Sequence, residues 1–572
     1  MTIQIGFNVI SPIDTRPRVT TTTNALTAEE EFKAASDHLR GDLARELRES
    51  PGKVSDSSGH LLKFHGIYAQ DNRDVRRERA LAGETLDYIF MIRVAIPGGR
   101  LTPEQWLALD TVSGDIADGT IRLTTRQAVQ FHGVAKQGLR PLAFALDAHL
   151  MTSFGACGDV VRNTVLCPQL NVNGTDPRLR ELANEISKAF KPRTNAHWEI
   201  FVNSDLAASR EEPSEHEFYG STYLPRKFKI AIAHPGENCV DVYAQDIGLV
   251  PATHEQLGDG FTVLVGGGLG HAYAEADSFS RLADPLTFVT YDEVEELIAA
   301  VLATYRELGD RTNRRRARMK YVVADLGIEN FTHEVELRYG RRLRGAVPVA
   351  LGEADDHLGW RRLDDGTHQV GVRVGAGRVR DDAEGPRLRS ALRTIAQRFD
   401  VTYVITAQQD ILISRIPDHD RDAIDEILAS HRVRGVAELG LVERSALACP
   451  ALPTCGQALT EAERALPGIV QRVQVELDGS GNAKRRLQLR MTGCPNGCAR
   501  PAVSEVGIVG RTKNTYDLYL GGGPRGDRLA TLYQEKLKLD EIPSVLRPLL
   551  DRWKSEGRAD ESFGDFFTRV GP

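Results

Sequence analysis

Residues 119–133, GTIRLTTRQAVQFHG, and residues 401–416, VTYVITAQQDILISRI, stand nearly three hundred residues apart in the chain and occur in the same setting. Before the first come a β-rich run, YIFMIRVAIPGG (88–99), and a helical pattern, TPEQWLALDTVSGD (102–115); after it comes another, RPLAFALDAHL (140–150). The second is framed alike, by HQVGVRVGAGRV (368–379) and RLRSALRTIAQRF (387–399) before it and DRDAIDEILASH (420–431) after it. Strand-type runs alternating with helical patterns indicate an α/β or α+β fold, and the same order met twice indicates an internal repeat.

A second echo extends the repeat. FKIAIAHPGENCVDVYAQDIGLVP (228–251), leading to TVLVGGG, is matched by LQLRMTGCPNGCARPAVSEVGIVG (487–510), leading to DLYLGGG. The chain therefore reads as two copies of a two-module unit. The copies differ in chemistry, because Arg122 and Arg126 in the first stand where the second has Val404 and Gln408. One copy is expected to have kept a ligand site and the other the cysteines, with the functional centre where the halves meet.

At 572 residues the chain exceeds what one core supports and suggests about three or four domains. Its 41% hydrophobic and 26% charged residues are those of an ordinary globular protein, and a net charge of -7 argues against general nucleic-acid binding. The first sixty residues are polar, with a helical patch (28–49) and a Ser/Gly-rich joint, KVSDSSGH (53–60), and read as an arm or linker. MTIQIGFNVISPIDTRP has no export or transit pattern, and no apolar run approaches the roughly 20 residues that cross a bilayer. Seven cysteines are too sparse and uneven for a disulfide framework, so a soluble, cytoplasmic protein is expected.

Four of those cysteines fall within fifty residues, as ACPALPTC (Cys449, Cys455) and GCPNGC (Cys494, Cys498). Two thiolate pairs on turn-rich segments can close around one tetrahedral or cubane centre. Structural zinc prefers two to four residues between paired ligands, so the five between Cys449 and Cys455 count against zinc, and an iron–sulfur cluster is favoured. The other readings are four buried thiols, or a zinc-stapled, non-catalytic protein that binds an anion. Cys167 and Cys239 are read as core residues.

A second constellation is basic: Arg93, Arg122, Arg126, His132, Arg162, Lys227 and Lys229. They lie inside apolar or β-rich runs, and several guanidinium and ammonium groups converging make a pocket for a small oxyanion or a polycarboxylate. Alternation in RKFK places Lys227 and Lys229 on one face of a strand. The glycine runs LVGGGLG (264–270) and LYLGGGPRGD (518–527) lack the spacing of a dinucleotide-binding turn, and no phosphate-binding loop of the Walker type is present. Electrons for any redox reaction must then come from a partner.

With RLTTRQAVQFHG, YLPRKFK, ACPALPTC followed by TEAER, and MTGCPNGCARP in view, the chain resembles the sirohaem and [4Fe–4S] sulfite and nitrite reductase family from residue 62 to the C-terminus, most closely its assimilatory sulfite-reducing members. The resemblance implies an α+β fold with a pseudo-two-fold internal repeat: an N-terminal arm (1–60), a ferredoxin-like half-domain (61–168), a sirohaem and substrate-binding α/β domain (169–345), a second ferredoxin-like half-domain (346–425) and a [4Fe–4S] and sirohaem-binding α/β domain (426–572). It implies that Cys449, Cys455, Cys494 and Cys498 ligate the cluster and that Cys498 also bridges to the sirohaem iron. Arg93, Arg162, Lys227 and Lys229 resemble the substrate-binding set, and Arg122, Arg126, Gln130, His132 and Asn496 the residues that hold sirohaem carboxylates or line its pocket.

The implied reaction is the six-electron reduction of sulfite to sulfide, with nitrite reduction as the alternative; the second lysine of RKFK is typical of the sulfite-reducing branch. The implied donor is ferredoxin or a flavoprotein subunit, and GACGDVVRN (155–163) looks more like the ferredoxin-dependent members. Tyr68 and Cys157 are expected to approach each other near the haem, where oxidation could join them, with an unlinked core thiol as the plainer reading.

Overall fold

The computed structural model describes residues 25–49, 52–169, 178–192, 199–202, 205–209 and 218–571. In the first copy the strands are β1 (Ile67–Asp71), β2 (Tyr88–Val94), β3 (Arg100–Leu101), β4 (Ile121–Leu123) and β5 (Val129–Val134). Then follow β6 (Val165–Leu166), the hairpin of β7 (Glu199–Val202) and β8 (Asp205–Ser209), β9 (Ile230–Ile232), β10 (Ile247–His254), β11 (Gly258–Val265) and β12 (Asp284–Thr290). The second copy carries β13 (Gly359–Arg362), β14 (His368–Val372), β15 (Arg378–Val379), β16 (Thr402–Ile405) and β17 (Ile411–Ile416), then β18 (Leu447–Ala448), β19 (Leu489–Thr492), β20 (Val506–Thr512), β21 (Thr515–Leu520) and β22 (Thr531–Leu537).

The repeat is present down to single hydrogen bonds. The β4–β5 and β16–β17 hairpins both close over five residues, with Thr124 N donating to Ala128 O at 3.0 Å and Thr406 N to Asp410 O at 2.9 Å. Gln127 (φ 52°) and Gln409 (φ 68°) both occupy the left-handed region at the same place in the loop. The helices Pro103–Asp115 and Leu388–Arg398 cover the two sheets, and Trp106 of the first stacks on Tyr403 of the second sheet with ring centroids 4.9 Å apart.

Each half-domain sheet is completed by the other copy. Its order is β1-β2-β5-β4-β15 in one and β13-β14-β17-β16-β3 in the other, so two short edge strands are exchanged. The exchange needs backbone to approach backbone. A Cβ on Gly99 would lie 2.4 Å from Ile405 O, and one on Gly377 2.5 Å from Leu123 O, and both residues have positive φ. Only glycine fits there.

The other two five-stranded sheets also match, in the orders β12-β11-β10-β9-β6 and β22-β21-β20-β19-β18, each with three parallel strands at one end. Their parallel strands deliver loops to one edge, where ligands of such sheets bind.

Two expectations are corrected. Residues 25–49, read as an arm or linker, dock into the body: Lys33 is 1% exposed and donates to Leu224 O at 2.9 Å, and Leu39 is fully buried. The joint KVSDSSGH starts a helix, Asp56–Leu62, because Ser55 Oγ accepts from Ser58 N and the helix buries Leu61 and Leu62. Capping and burial outweigh the Ser/Gly composition. No helix among the described residues is long and apolar enough to cross a membrane.

Candidate cofactor and substrate site

The β4–β5 loop, the segment ahead of β9, and the loop between β19 and β20 face one another across a cavity of about 400 Å³. Arg126 enters it from the first, Lys227 and Lys229 from the second, Asn496 and Cys498 from the third. Phe228, between the two lysines, is fully buried in the core. Alternation therefore turns both ammonium groups to the cavity, as the sequence predicts, although β9 itself begins only at Ile230.

Burial in a field of cations depresses these groups. Lys227 is lowered to about 7 by burial and then by Arg226 and Arg318, and Lys229 well below its ordinary value by burial and then by Lys227. Arg126 is lowered to about 9, chiefly by burial, while donating to Gln245 Oε1 at 2.9 Å and to Ile230 O at 3.1 Å. One buried acid offsets them: Asp246 accepts from Arg318 at 2.8 and 3.0 Å and from Lys229 N at 2.9 Å. Such an excess of buried positive charge calls for anionic ligands.

On the facing side, Cys449 directly follows β18 and Cys494 and Cys498 follow β19. Cys449 and Cys494 are buried, Cys455 half-buried and Cys498 exposed to the cavity. Gly493 N donates to Cys449 Sγ at 3.4 Å and Asn496 Nδ2 to Cys494 Sγ at 3.5 Å. Burial raises the Cys449, Cys455 and Cys494 thiols, Cys494 to about 12, and Cys498 raises each of them further. The thiols thus lie near enough for the charge of one to act on the others.

The other predicted residues divide. Arg93 and Gln130 are cross-strand partners on β2 and β5, and with the Gln130 amide turned to face it Arg93 Nε donates to its oxygen at 3.1 Å; Arg93 also donates to Cys157 Sγ at 2.9 Å and lies 5.9 Å from the Tyr68 ring. Tyr68 and Cys157 therefore meet around Arg93. Arg162 donates to Gly158 O at 2.9 Å and lines a neighbouring cavity of about 300 Å³. Arg122 is turned away from the lysines, pairing with Glu463 of the TEAER segment at 2.9 Å and donating to Ala448 O at 2.8 Å, next to Cys449. His132 on β5 is 2% exposed, and neither ring nitrogen has a hydrogen-bond partner. Burial, then Arg378 and Arg122, keep it neutral. A buried imidazole with both nitrogens unpaired and a cavity rich in cations fit a polycarboxylate macrocycle set against the thiols.

Sequence reasoning missed Arg226, Arg314, Arg318 and Arg500, which line the same cavity. The signal was the basic run 311–320, RTNRRRARMK, and Arg226 lies inside YLPRKFK itself. The glycine run after β11 leads into no helix, in accord with the absence of a nucleotide turn. Cys167 and Cys239 are buried, as expected, but are gathered with Glu237 and His357.

Comparison with known proteins agrees with this arrangement. Residues 181–343 and 442–572 match the family described as the nitrite and sulphite reductase 4Fe-4S domain, and residues 82–149 the nitrite/sulfite reductase ferredoxin-like half domain. The chain is 41% identical to the sulfite reductase [NADPH] hemoprotein beta-component of Chromohalobacter salexigens, over 95% of each chain. It is 42% identical to that of Myxococcus xanthus, over 95% of this chain and 96% of the other, and 40% identical to the sulfite reductase [ferredoxin] of Synechococcus elongatus, over 95% and 89%. The solved structure of the Mycobacterium tuberculosis NirA protein shares the fold, with a TM-score of 0.77 at 23% identity over 95% of this chain and 96% of that one.

Proposed function

From the premise that the chain belongs to the sirohaem and [4Fe–4S] nitrite and sulfite reductase family, we propose that it reduces sulfite to sulfide in the cavity between Lys227, Lys229 and the Cys498 loop. The observation that carries this reading is the cavity itself, with buried cations on one wall and Cys494 and Cys498 on the other. Cys449, Cys455, Cys494 and Cys498 would hold the cluster. Arg126, His132 and Asn496 would hold or line the sirohaem, and Arg122 would act from beside Cys449. Coupled sirohaem and cluster, when bound, supply single electrons to the sulfur of sulfite.

The chain's own residues supply charge and protons. Sulfite is a small dianion, and Lys227, Lys229, Arg226 and Arg318 create the positive field that draws it in and polarises its oxygens. With its value near 7, Lys227 Nζ is about half protonated at neutral pH and exchanges its proton readily, which is what an oxygen leaving as water requires. Arg93 and Arg162 complete the substrate set, Arg93 held by Gln130 and Cys157 and Arg162 by its bond to Gly158 O. The Arg318–Asp246–Lys229 chain fixes the second ammonium group by binding its own backbone.

Two cations side by side favour a dianion over a monoanion, so sulfite is the substrate and nitrite a side reaction. Electrons come from a separate protein, and we assign that role to a ferredoxin; named relatives of both the ferredoxin and the NADPH-system kind lie at similar identity. The deciding experiment is a visible spectrum of purified holoenzyme before and after sulfite, followed by turnover with reduced ferredoxin or with a flavoprotein donor. A haem-type band shifted by sulfite, with sulfide formed, supports the reading. A colourless protein overturns it.

A further inference from the structure

The two α/β modules are equivalent residue by residue around their thiols. β9 and β10 begin seventeen residues apart, as do β19 and β20. Counted this way, Cys239 stands where Cys498 stands, and Asp241 (φ 47°) matches Arg500 (φ 59°), each ahead of a 3-10 turn. Cys167 follows β6 as Cys449 follows β18, and their amides make the same bond: Cys167 N to Ile232 O at 3.1 Å, Cys449 N to Met491 O at 3.3 Å. The first copy has therefore kept two thiols at cluster-ligand positions, which corrects the expectation that only the second copy kept cysteines.

What surrounds them differs from the cluster site. Glu237, in the same loop as Cys239, places Oε1 2.6 Å from Cys167 Sγ, and His357 Nε2 lies 3.1 Å from that same oxygen. All four ligand atoms fall within 4.8 Å of one another, and all four side chains are buried. His357 is 1% exposed, and its Nε2 is aimed into the group, where it pairs with the Glu237 carboxylate. The second carboxylate oxygen is held by Asp355 N at 3.0 Å, which orients Glu237 toward the thiols.

We propose that Cys167, Glu237, Cys239 and His357 form a structural site for one zinc ion, at the place in the first copy that the iron–sulfur cluster takes in the second. Two sulfurs, one imidazole nitrogen and one carboxylate oxygen make the four-coordinate mixed set that zinc accepts, and the close spacing admits a single ion and no cluster. The site has no free position for a substrate. It ties the stretch before β13, where the chain enters the second copy, to the loops of the first. Its ligands come from three separate stretches of chain, so zinc there would hold the two copies together.

The test is elemental analysis of the purified holoenzyme, expressed with zinc supplied and treated with a weak chelator, together with zinc X-ray absorption. We expect about one zinc per chain besides the iron of the cofactors, with about two sulfurs near 2.3 Å and two lighter ligands near 2.0 Å. Cys239→Ser and His357→Gln should each lower zinc about tenfold while iron and the haem absorbance stay at wild-type levels. Wild-type protein without zinc, iron in its place, a Cys167–Cys239 disulfide in a non-reducing peptide map, or variants that keep their zinc would each overturn the proposal. The wild-type zinc count and absorption spectrum decide even where a variant fails to fold, and neither depends on which reaction the enzyme catalyses.

Discussion

Asp159 receives both terminal nitrogens of Arg314, at 2.7 and 2.9 Å, with the carboxylate 2% exposed. Arg314 also donates to Pro225 O at 2.8 Å, so the pair fixes the segment that carries Lys227 and Lys229. Burial opposes the charge, but Arg314 and Lys33 hold the Asp159 carboxyl below the ordinary Asp value of 3.8. Its contribution to stability is therefore fully present above that value and is lost progressively as pH falls below it toward the depressed value of the folded state. Asp159→Asn should cost about 3 kcal/mol in chemical denaturation near neutral pH, and the difference from wild type should shrink at acid pH.

The proton-donor role of Lys227 predicts a pH limb. The ammonium form is the donor, and its value of about 7 is set without the anions that occupy the cavity in turnover. Bound carboxylates and sulfite raise it, so kcat should fall as pH rises through a midpoint at or above about 7. In Lys227→Arg, whose guanidinium does not release its proton, steady-state assays should show kcat reduced at least about tenfold and this limb gone.

Cys449→Ser should leave the fold intact and remove the cluster. Iron and acid-labile sulfide should fall to the level of protein expressed without iron supplementation, and sulfite reduction should drop more than about a hundredfold with any donor. Intact thermal unfolding of that variant would separate loss of the centre from loss of the protein.

Gly377→Ala tests the exchanged strand. The residue has φ 75°, and a Cβ there meets Leu123 O at 2.5 Å and Arg122 Nη1 at 2.6 Å. Unfolding in denaturant should show a loss of about 1–3 kcal/mol, with Gly366→Ala, which has a similar φ and open space around it, losing less.

The repeat, the four-thiol segment and the paired lysines were legible because each is written in a short contiguous stretch. Arg314 and Arg318 were not, because a basic run normally reads as a solvated face, and it is Asp159 and Asp246, far away in sequence, that draw these two inward. His357 and Glu237 escaped for a similar reason: they lie 120 residues apart, and neither carries a local pattern. Strands of two residues, such as β3 and β15, are too short to show a period of two. Arg122 was placed correctly in its strand, but its direction depends on Glu463, which no pattern in the first copy reveals.

The exchanged edge strands also constrain how such a chain could have arisen. A protein carrying one copy would leave the edge of a four-stranded sheet open and hold out a strand with no sheet of its own to join. Two identical copies satisfy each other through a two-fold axis, so the single-copy ancestor implied by this geometry is a symmetric dimer joined by reciprocal strands. Fusion of the two genes would then have freed each half to diverge, one toward ammonium and guanidinium groups, the other toward sulfur.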